Sequence, residues 1–191
     1  MVSAADGVSR RHLLGVSGAA GAAALAAGCG LIPTTRPPLT KLSVAVTRTD
    51  VPILEGLLKI EYRLAYAYTA SLPPLVDDKY GTRVARWFLH QELAHVTALT
   101  TLLKSAHARP ASSPGTFPLG RSRTAAEVLS MLHRLENDAI HAYQRAIPNL
   151  SHGRLRAIAA SIMANEGQHV SLVRASLGLE PVPAALLTAS E

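Results

Sequence analysis

Glu92-Leu93-Ala94-His95 and Glu166-Gly167-Gln168-His169 are the stretches whose reading decides the fold. Each sets a carboxylate and an imidazole three residues apart, and on a helix that spacing sends both side chains off one face, one turn apart. A lone glutamate precedes each pair in a similar frame. Glu61 lies in Ile60-Glu61-Tyr62-Arg63-Leu64-Ala65-Tyr66-Ala67-Tyr68, and Glu136 in Leu135-Glu136-Asn137-Asp138-Ala139-Ile140-His141-Ala142-Tyr143. Both frames carry Ala-Tyr six and seven residues after the glutamate, and a proline (Pro73, Pro148) five residues beyond the tyrosine. Glu61 and Glu136 are 75 residues apart; Glu92 and Glu166 are 74 apart. The pattern is that of a duplicated helical hairpin.

Four carboxylates and two histidines are therefore expected to meet: Glu61, Glu92, His95, Glu136, Glu166 and His169. One Glu-x-x-His alone is weak, because a solvated helix face explains most instances. Two in register, each with a partner glutamate about 30 residues upstream, are much harder to reach by chance. Ile60, Leu64, Leu93, Val96, Leu99, Leu135, Ile140, Val170 and Leu172 surround these positions with apolar side chains, so the carboxylates should point inward. Unpaired buried charges cost several kcal/mol each, and their pKa values rise until the groups neutralise. Two divalent ions would cancel four carboxylates, with neutral imidazoles completing the shells. One Glu from each of two helices plus one Glu-x-x-His from each of the others is the donor set of di-metal carboxylate bundles. Carboxylates and imidazoles suit iron or manganese. Glu55 is an alternative to Glu61, but Ser130 stands at its repeat position. His133 lies one turn before Glu136, where the first hairpin has Leu58. His90, His107 and His152 read as helix-end or surface residues.

On these residues the chain resembles the ferritin-like superfamily over roughly residues 50–178. It is close in layout to bacterioferritin and rubrerythrin, and similar to small actinobacterial ferritin-like lipoproteins. The resemblance implies an all-α, four-helix bundle made of two duplicated hairpins joined by a long crossover. It implies two iron ions, with manganese as the alternative: Glu61 and His95 on one metal, Glu136 and His169 on the other, Glu92 and Glu166 bridging. Neither rubredoxin-type cysteine pairs nor the fifth helix of cage-forming ferritins is evident in the sequence.

The N-terminus reads as an export signal, residues 1–28. Ser9-Arg10-Arg11-His12-Leu13-Leu14 resembles a twin-arginine motif, and the apolar run from Leu13 to Ala27 is short for a membrane span. Ala24-Leu25-Ala26-Ala27-Gly28-Cys29 resembles a lipobox, with Cys29 as the lipidated first residue; Leu25 stands at −4 instead of the favoured −3, and ordinary cleavage nearby is the alternative. Cys29 is the sole cysteine, which excludes internal disulfides and thiolate clusters. The formal charge is +6 for the whole chain, about +5 without residues 1–28. No dense basic cluster or aromatic interleaving accompanies it, so nucleic acid is not an expected partner. Attraction to anionic headgroups near a lipid anchor uses the charge more economically.

Residues 29–49 read as a tether, 50–180 as the bundle and 181–191 as a C-terminal tail. The first helix should start near Asp50, an N-cap candidate with Pro52 in the first turn, and run to about Leu72, stopped by Pro73-Pro74. The second should start between Asp77 and Thr82 and reach about Ala106. The third should open with a Thr124-Ala125-Ala126-Glu127 capping box and end before Pro148. The fourth should follow Ser151 and finish at Leu177, with Gly178 as its C′ residue. A 25-residue helix is about 37 Å long, and the 16 residues of 107–122 span up to about 53 Å extended. That linker can cross the bundle.

Tyr68 and Tyr143 lie two turns past Glu61 and Glu136. They are candidates for hydrogen-bonding the ligand carboxylates or for redox chemistry beside the metals, against a bland reading as core-closing tyrosines. Tyr66 and His141 read as packing or surface residues. Three functions compete: a di-iron centre that oxidises Fe(II) or reduces dioxygen or peroxide at the cell envelope, a metal-binding or storage protein without turnover, and a structural lipoprotein bundle. The sequence leaves a homodimer open. The expected setting is extracytoplasmic, with the lipid anchor holding the chain to the membrane. Fractionation checks it: replacing Arg10 and Arg11 by lysine should leave the chain in the cytoplasm, and Cys29→Ala should release it from membranes. Normal membrane attachment of Cys29→Ala would refute the anchor.

Overall fold

Apolar residues recur at three- and four-residue spacing in each expected helix, and each segment forms one. The computed structural model describes residues 44–75 and 79–183. The expected export signal, Cys29, tether residues 29–43 and tail residues 184–191 lie outside the described residues. Four helices result: α1 (Asp50–Ser71), α2 (Lys79–Ser105), α3 (Ala125–Ala146) and α4 (Gly153–Ser176). Short 3-10 turns follow α1 at Pro73–Leu75 and α3 at Ile147–Asn149, where proline ends the helical hydrogen bonding. There is no strand among the described residues. Nor is any described helix long and apolar enough to cross a membrane.

The buried stripe of α1 runs Leu54, Leu57, Leu58, Glu61, Leu64, Ala65, Tyr68, so Glu61 occupies a core position. Glu92, Glu136 and Glu166 hold the corresponding places in the stripes of the other helices. Two apolar layers flank this acidic band. One contains Leu54, Leu58, Leu99, Leu103, Tyr143 and Leu155; the other contains Leu64, Tyr68, Phe88, Leu132, Leu135 and Val173. At about 1.5–3 kcal/mol per fully buried large side chain, these layers supply the drive that buries the acids between them.

The order of layers along each helix gives the topology. α1 and α4 run from the first layer to the second, while α2 and α3 run from the second to the first. Each hairpin is therefore antiparallel, and α2 and α3 point the same way. The segment between them must return along the whole bundle. It does so against α1: Glu55 accepts the Ala111 N–H at 3.2 Å, the Tyr62 hydroxyl donates to the Ala111 carbonyl at 3.3 Å, and the Phe117 ring lies 5.9 Å from that of Tyr66. Leu119 then joins the second apolar layer. Glu55 thus ties down the crossover.

The expected capping box is present: Thr124 accepts the Glu127 N–H at 3.2 Å and Glu127 accepts the Thr124 N–H at 3.2 Å. At the end of α4, Gly178 (φ 72°) donates to the Ala175 carbonyl and Leu179 to that of Arg174, the Schellman pattern that satisfies late carbonyls. α2 ends in the same pattern with His107 at φ 56°, a conformation that costs a side-chain-bearing residue about 1–2 kcal/mol.

Two expectations are corrected. Leu93 and Leu172 do not line the acidic band; they are exposed, because each projects about 100–120° away from its helix's buried stripe. Asp50 does not cap α1. It is the first helical residue, fully buried, and Thr49 holds the cap position without a side-chain bond. Its carboxylate accepts the Thr47 N–H (2.7 Å) and hydroxyl (2.7 Å) and the Ser151 N–H (2.8 Å) and hydroxyl (2.6 Å). Burial pushes its pKa up, but the bonds from Ser151 and Thr47 outweigh this and hold it at about 2. The side chain pins the start of α1 to the start of α4. Asp50→Ala should cost about 3 kcal/mol, since bonds to a charged group contribute roughly 1.5–3 kcal/mol. Calorimetry should then show a melting temperature lower by about 6–12 °C. A shift under about 2 °C would show the pin to be ornamental.

Candidate metal centre

All six singled-out side chains converge between the two apolar layers. Glu61 comes from α1, Glu92 and His95 from α2, Glu136 from α3, Glu166 and His169 from α4. The four glutamates and His169 are fully buried, and His95 is 8% exposed. Their donor atoms form two overlapping groups, Glu61/Glu92/His95/Glu166 and Glu92/Glu136/Glu166/His169, each within 4.8 Å. Glu92 and Glu166 belong to both. The remaining glutamate and histidine of each group divide as the repeat requires.

His95 Nδ1 lies 2.9 Å from Glu166, 3.3 Å from Glu61 and 3.6 Å from Glu92. His169 Nδ1 lies 3.1 Å from Glu92, 3.1 Å from Glu166 and 3.3 Å from Glu136. Yet His169 Nδ1, both oxygens of Glu92, both of Glu166 and one of Glu136 are buried without a hydrogen-bond partner. Of the six contacts, only that of His95 Nδ1 with Glu61 is a hydrogen bond; the unpartnered atoms are near one another but not aligned for N–H···O bonds. They surround common points instead. Donors bound at about 2.1 Å to one ion stand about 3.0–3.4 Å apart in octahedral or tetrahedral arrangements, the spacing seen here. Among the described residues no lysine or arginine pairs with these carboxylates; the ion pair Arg63–Asp138 is elsewhere. The donor set fits two divalent cations.

The tyrosines act crosswise. Tyr68 of α1 donates to Glu136 of α3, and Tyr143 of α3 donates to Glu61 of α1 at 2.5 Å. Glu61 thus has one oxygen tied by Tyr143 and the other against His95, while Glu136 takes the Tyr68 bond on the oxygen that lies 3.3 Å from His169 Nδ1 and keeps its second oxygen unbonded. Burial, followed by the adjacent carboxylate, raises both phenols well above their usual range, so they remain proton donors.

Gln91 and Phe88 complete the surroundings and were not singled out from sequence. His169 Nε2–H donates to Gln91 Oε1 at 2.7 Å, and the Phe88 ring stacks on the imidazole at 4.0 Å. A signal existed: an amide precedes both motif glutamates, Gln91 and Asn165. His133 is outside the cluster. It accepts a bond from Asn137 and lines a surface cavity with Arg63, Arg134 and His141.

Without metal, protons hold the cluster together. Burial drives Glu61 up to about 8 and Glu136 well above the carboxylate range. For the imidazoles burial works downward, but the surrounding carboxylates outweigh it, pushing His95 up to about 12 and His169 to about 11. Burial raises Glu166 too, yet the imidazolium groups of His169 and His95 beside it outweigh this and hold it at about 2.

The ferritin-like domain family matches residues 49–179. Among solved structures, a conserved hypothetical protein from Mycobacterium tuberculosis superposes with a TM-score of 0.65 at 17% identity, covering 73% of this chain and 97% of that one. A protein described as ferritin-like, diiron-carboxylate, from Bacillus anthracis superposes with a TM-score of 0.55 at 15% identity, covering 69% and 99%. No curated protein sequence matches the chain.

The titrations set a pH dependence. Glu61, raised from 4.5 to about 8, stabilises the metal-free fold fully below 4.5 and loses that contribution as pH rises through 8. The histidines act in the same direction, from 6.5 up through about 11 and 12. Glu166 acts oppositely, but its contribution is lost only as pH falls below 4.5 through about 2. The melting temperature of metal-stripped protein should therefore fall between pH 5 and 8.5. Mn(II) displaces the protons, so the rise in melting temperature that it produces should grow across that window. A stripped protein whose stability is flat or rises over the window would contradict this account of the cluster.

Proposed function

Because the chain belongs to the ferritin-like family, we propose that it is a di-iron carboxylate protein of the cell envelope that oxidises Fe(II) while reducing peroxide or dioxygen. One observation carries the reading: five carboxylate oxygens and one imidazole nitrogen are buried, convergent and without hydrogen bonds. An apolar interior does not retain such a set unless protons or metal ions neutralise it. Two bound irons would supply two electrons together, the number that converts one peroxide and two protons to two waters.

The residues around the cluster divide the remaining work. Glu92 and Glu166 belong to both donor groups and would serve both metal positions. Tyr143 and Tyr68 orient Glu61 and Glu136 by a hydrogen bond to one oxygen of each. Leu64, Leu99, Leu135 and Phe88 exclude water above and below. Held by two histidines and four carboxylates, two metals would have coordination positions for an oxidant wherever a carboxylate binds through one oxygen. The envelope setting is supported by the Arg10-Arg11 motif and the position of Cys29.

The test is rapid mixing of protein carrying two Fe(II) per chain with one equivalent of peroxide, set against the same concentration of free Fe(II). Loaded protein should oxidise its iron much faster and release little hydroxyl radical. Glu92→Ala or Glu166→Ala should slow the step on the order of a hundredfold, and His152→Ala should leave it unchanged. Oxidation no faster than that of free iron would replace this reading with a binding or storage role.

A further inference from the structure

The two hairpins repeat the six donors but not their supports. His169 has Gln91 on Nε2 at 2.7 Å and Phe88 stacked on its face at 4.0 Å. The repeat places Asn165 and Ile162 at the corresponding positions around His95. Asparagine is one methylene shorter than glutamine, and the Asn165 amide bonds the Gln168 carbonyl oxygen at 3.3 Å instead. Isoleucine offers no aromatic face. The His95 side chain is 11% exposed, against 1% for His169, and among the described residues its Nε2 has no hydrogen-bond partner.

Physically, these differences act on metal affinity. An acceptor on Nε2 keeps the proton there, leaving the Nδ1 lone pair aimed at the cluster. It also fixes the ring's rotation before any ion arrives, so less entropy is lost on binding. Such partners are commonly worth 10–100-fold in affinity. The stacked Phe88 restricts the ring further and keeps water from it.

We infer that the two metal positions are inequivalent: the one served by His169 is tight, because Gln91 positions its imidazole, and the one served by His95 is weaker and exchanges ions with solvent. The inference rests on the di-metal reading and adds to it a resident ion and an exchangeable one. Gln91 is a positioning residue, since it touches the cluster only through His169.

Calorimetric titration of the metal-stripped chain with Mn(II) at constant pH tests it. Wild type should bind two ions in steps separated by at least about tenfold. Gln91→Leu should weaken the tighter step by about 10–100-fold and leave the other within about threefold, while Gln91→Glu, which keeps an acceptor, should recover most of the loss. Should Gln91→Leu fail to fold, nitrogen-15 spectra of the zinc-loaded wild type decide: one imidazole N–H protected from exchange is expected, and two equally protected or none would overturn the inference. Two ions bound with affinities unaltered by Gln91→Leu would overturn it while sparing the metal centre. A chain that takes up no divalent ion would overturn both.

Discussion

Four carboxylates lie buried between two apolar layers with no lysine or arginine among the described residues to neutralise them, and the rest of the structure answers to that constraint. Each uncompensated charge in such a place costs several kcal/mol. Either protons or metal ions must be present, and the clustering of the oxygens without hydrogen-bond partners favours ions. The layers of leucine, phenylalanine and tyrosine make the burial affordable, and they also keep the band dry. A dry band is what makes cation binding strong, since charge interactions weaken as the effective dielectric rises.

The crossed tyrosine bonds show how the duplication became a single unit. If each tyrosine had served the glutamate of its own helix, these two bonds would not link the hairpins. Instead Tyr68 reaches Glu136 and Tyr143 reaches Glu61, so each hairpin sets the geometry of the other's donor. The Asp50 pin has a similar effect at one end, joining the entry of α1 to the entry of α4 through Ser151. The bundle is thus braced between hairpins at the donors and at the end where α4 begins.

Symmetry in the donors does not extend to the second layer of contacts. Gln91 and Asn165 differ by one methylene, and Phe88 and Ile162 differ in shape. With those two differences go one histidine held on Nε2 and stacked, and another slightly more exposed. A duplicated site can in this way separate retention of one ion from exchange of another without altering the residues that bind them.

Periodicity and repetition are local properties, so much was legible along the chain. The six donors, the four helices, the capping box at Thr124 and the glycine stop at Gly178 each follow from spacing or from backbone preference. The crossover's ability to span the bundle also followed, because its reach exceeds the length of a helix; its path along α1 did not. What the sequence left undecided depends on which atoms meet across the bundle. Asp50 has the chemistry of an N-cap, and only the approach of Ser151, 101 residues away, makes it a pin. Tyr68 is in phase with Glu61 on its own helix, yet the packing of α1 on α3 gives its proton to Glu136. Leu93 and Leu172 are apolar neighbours of ligands in sequence but point to solvent, because a helix turns about 100° per residue. Composition and spacing decided which groups face the interior; the tertiary packing decided their partners, because hydrogen bonds and ion pairs are settled by distance and direction in space, which a linear pattern does not contain.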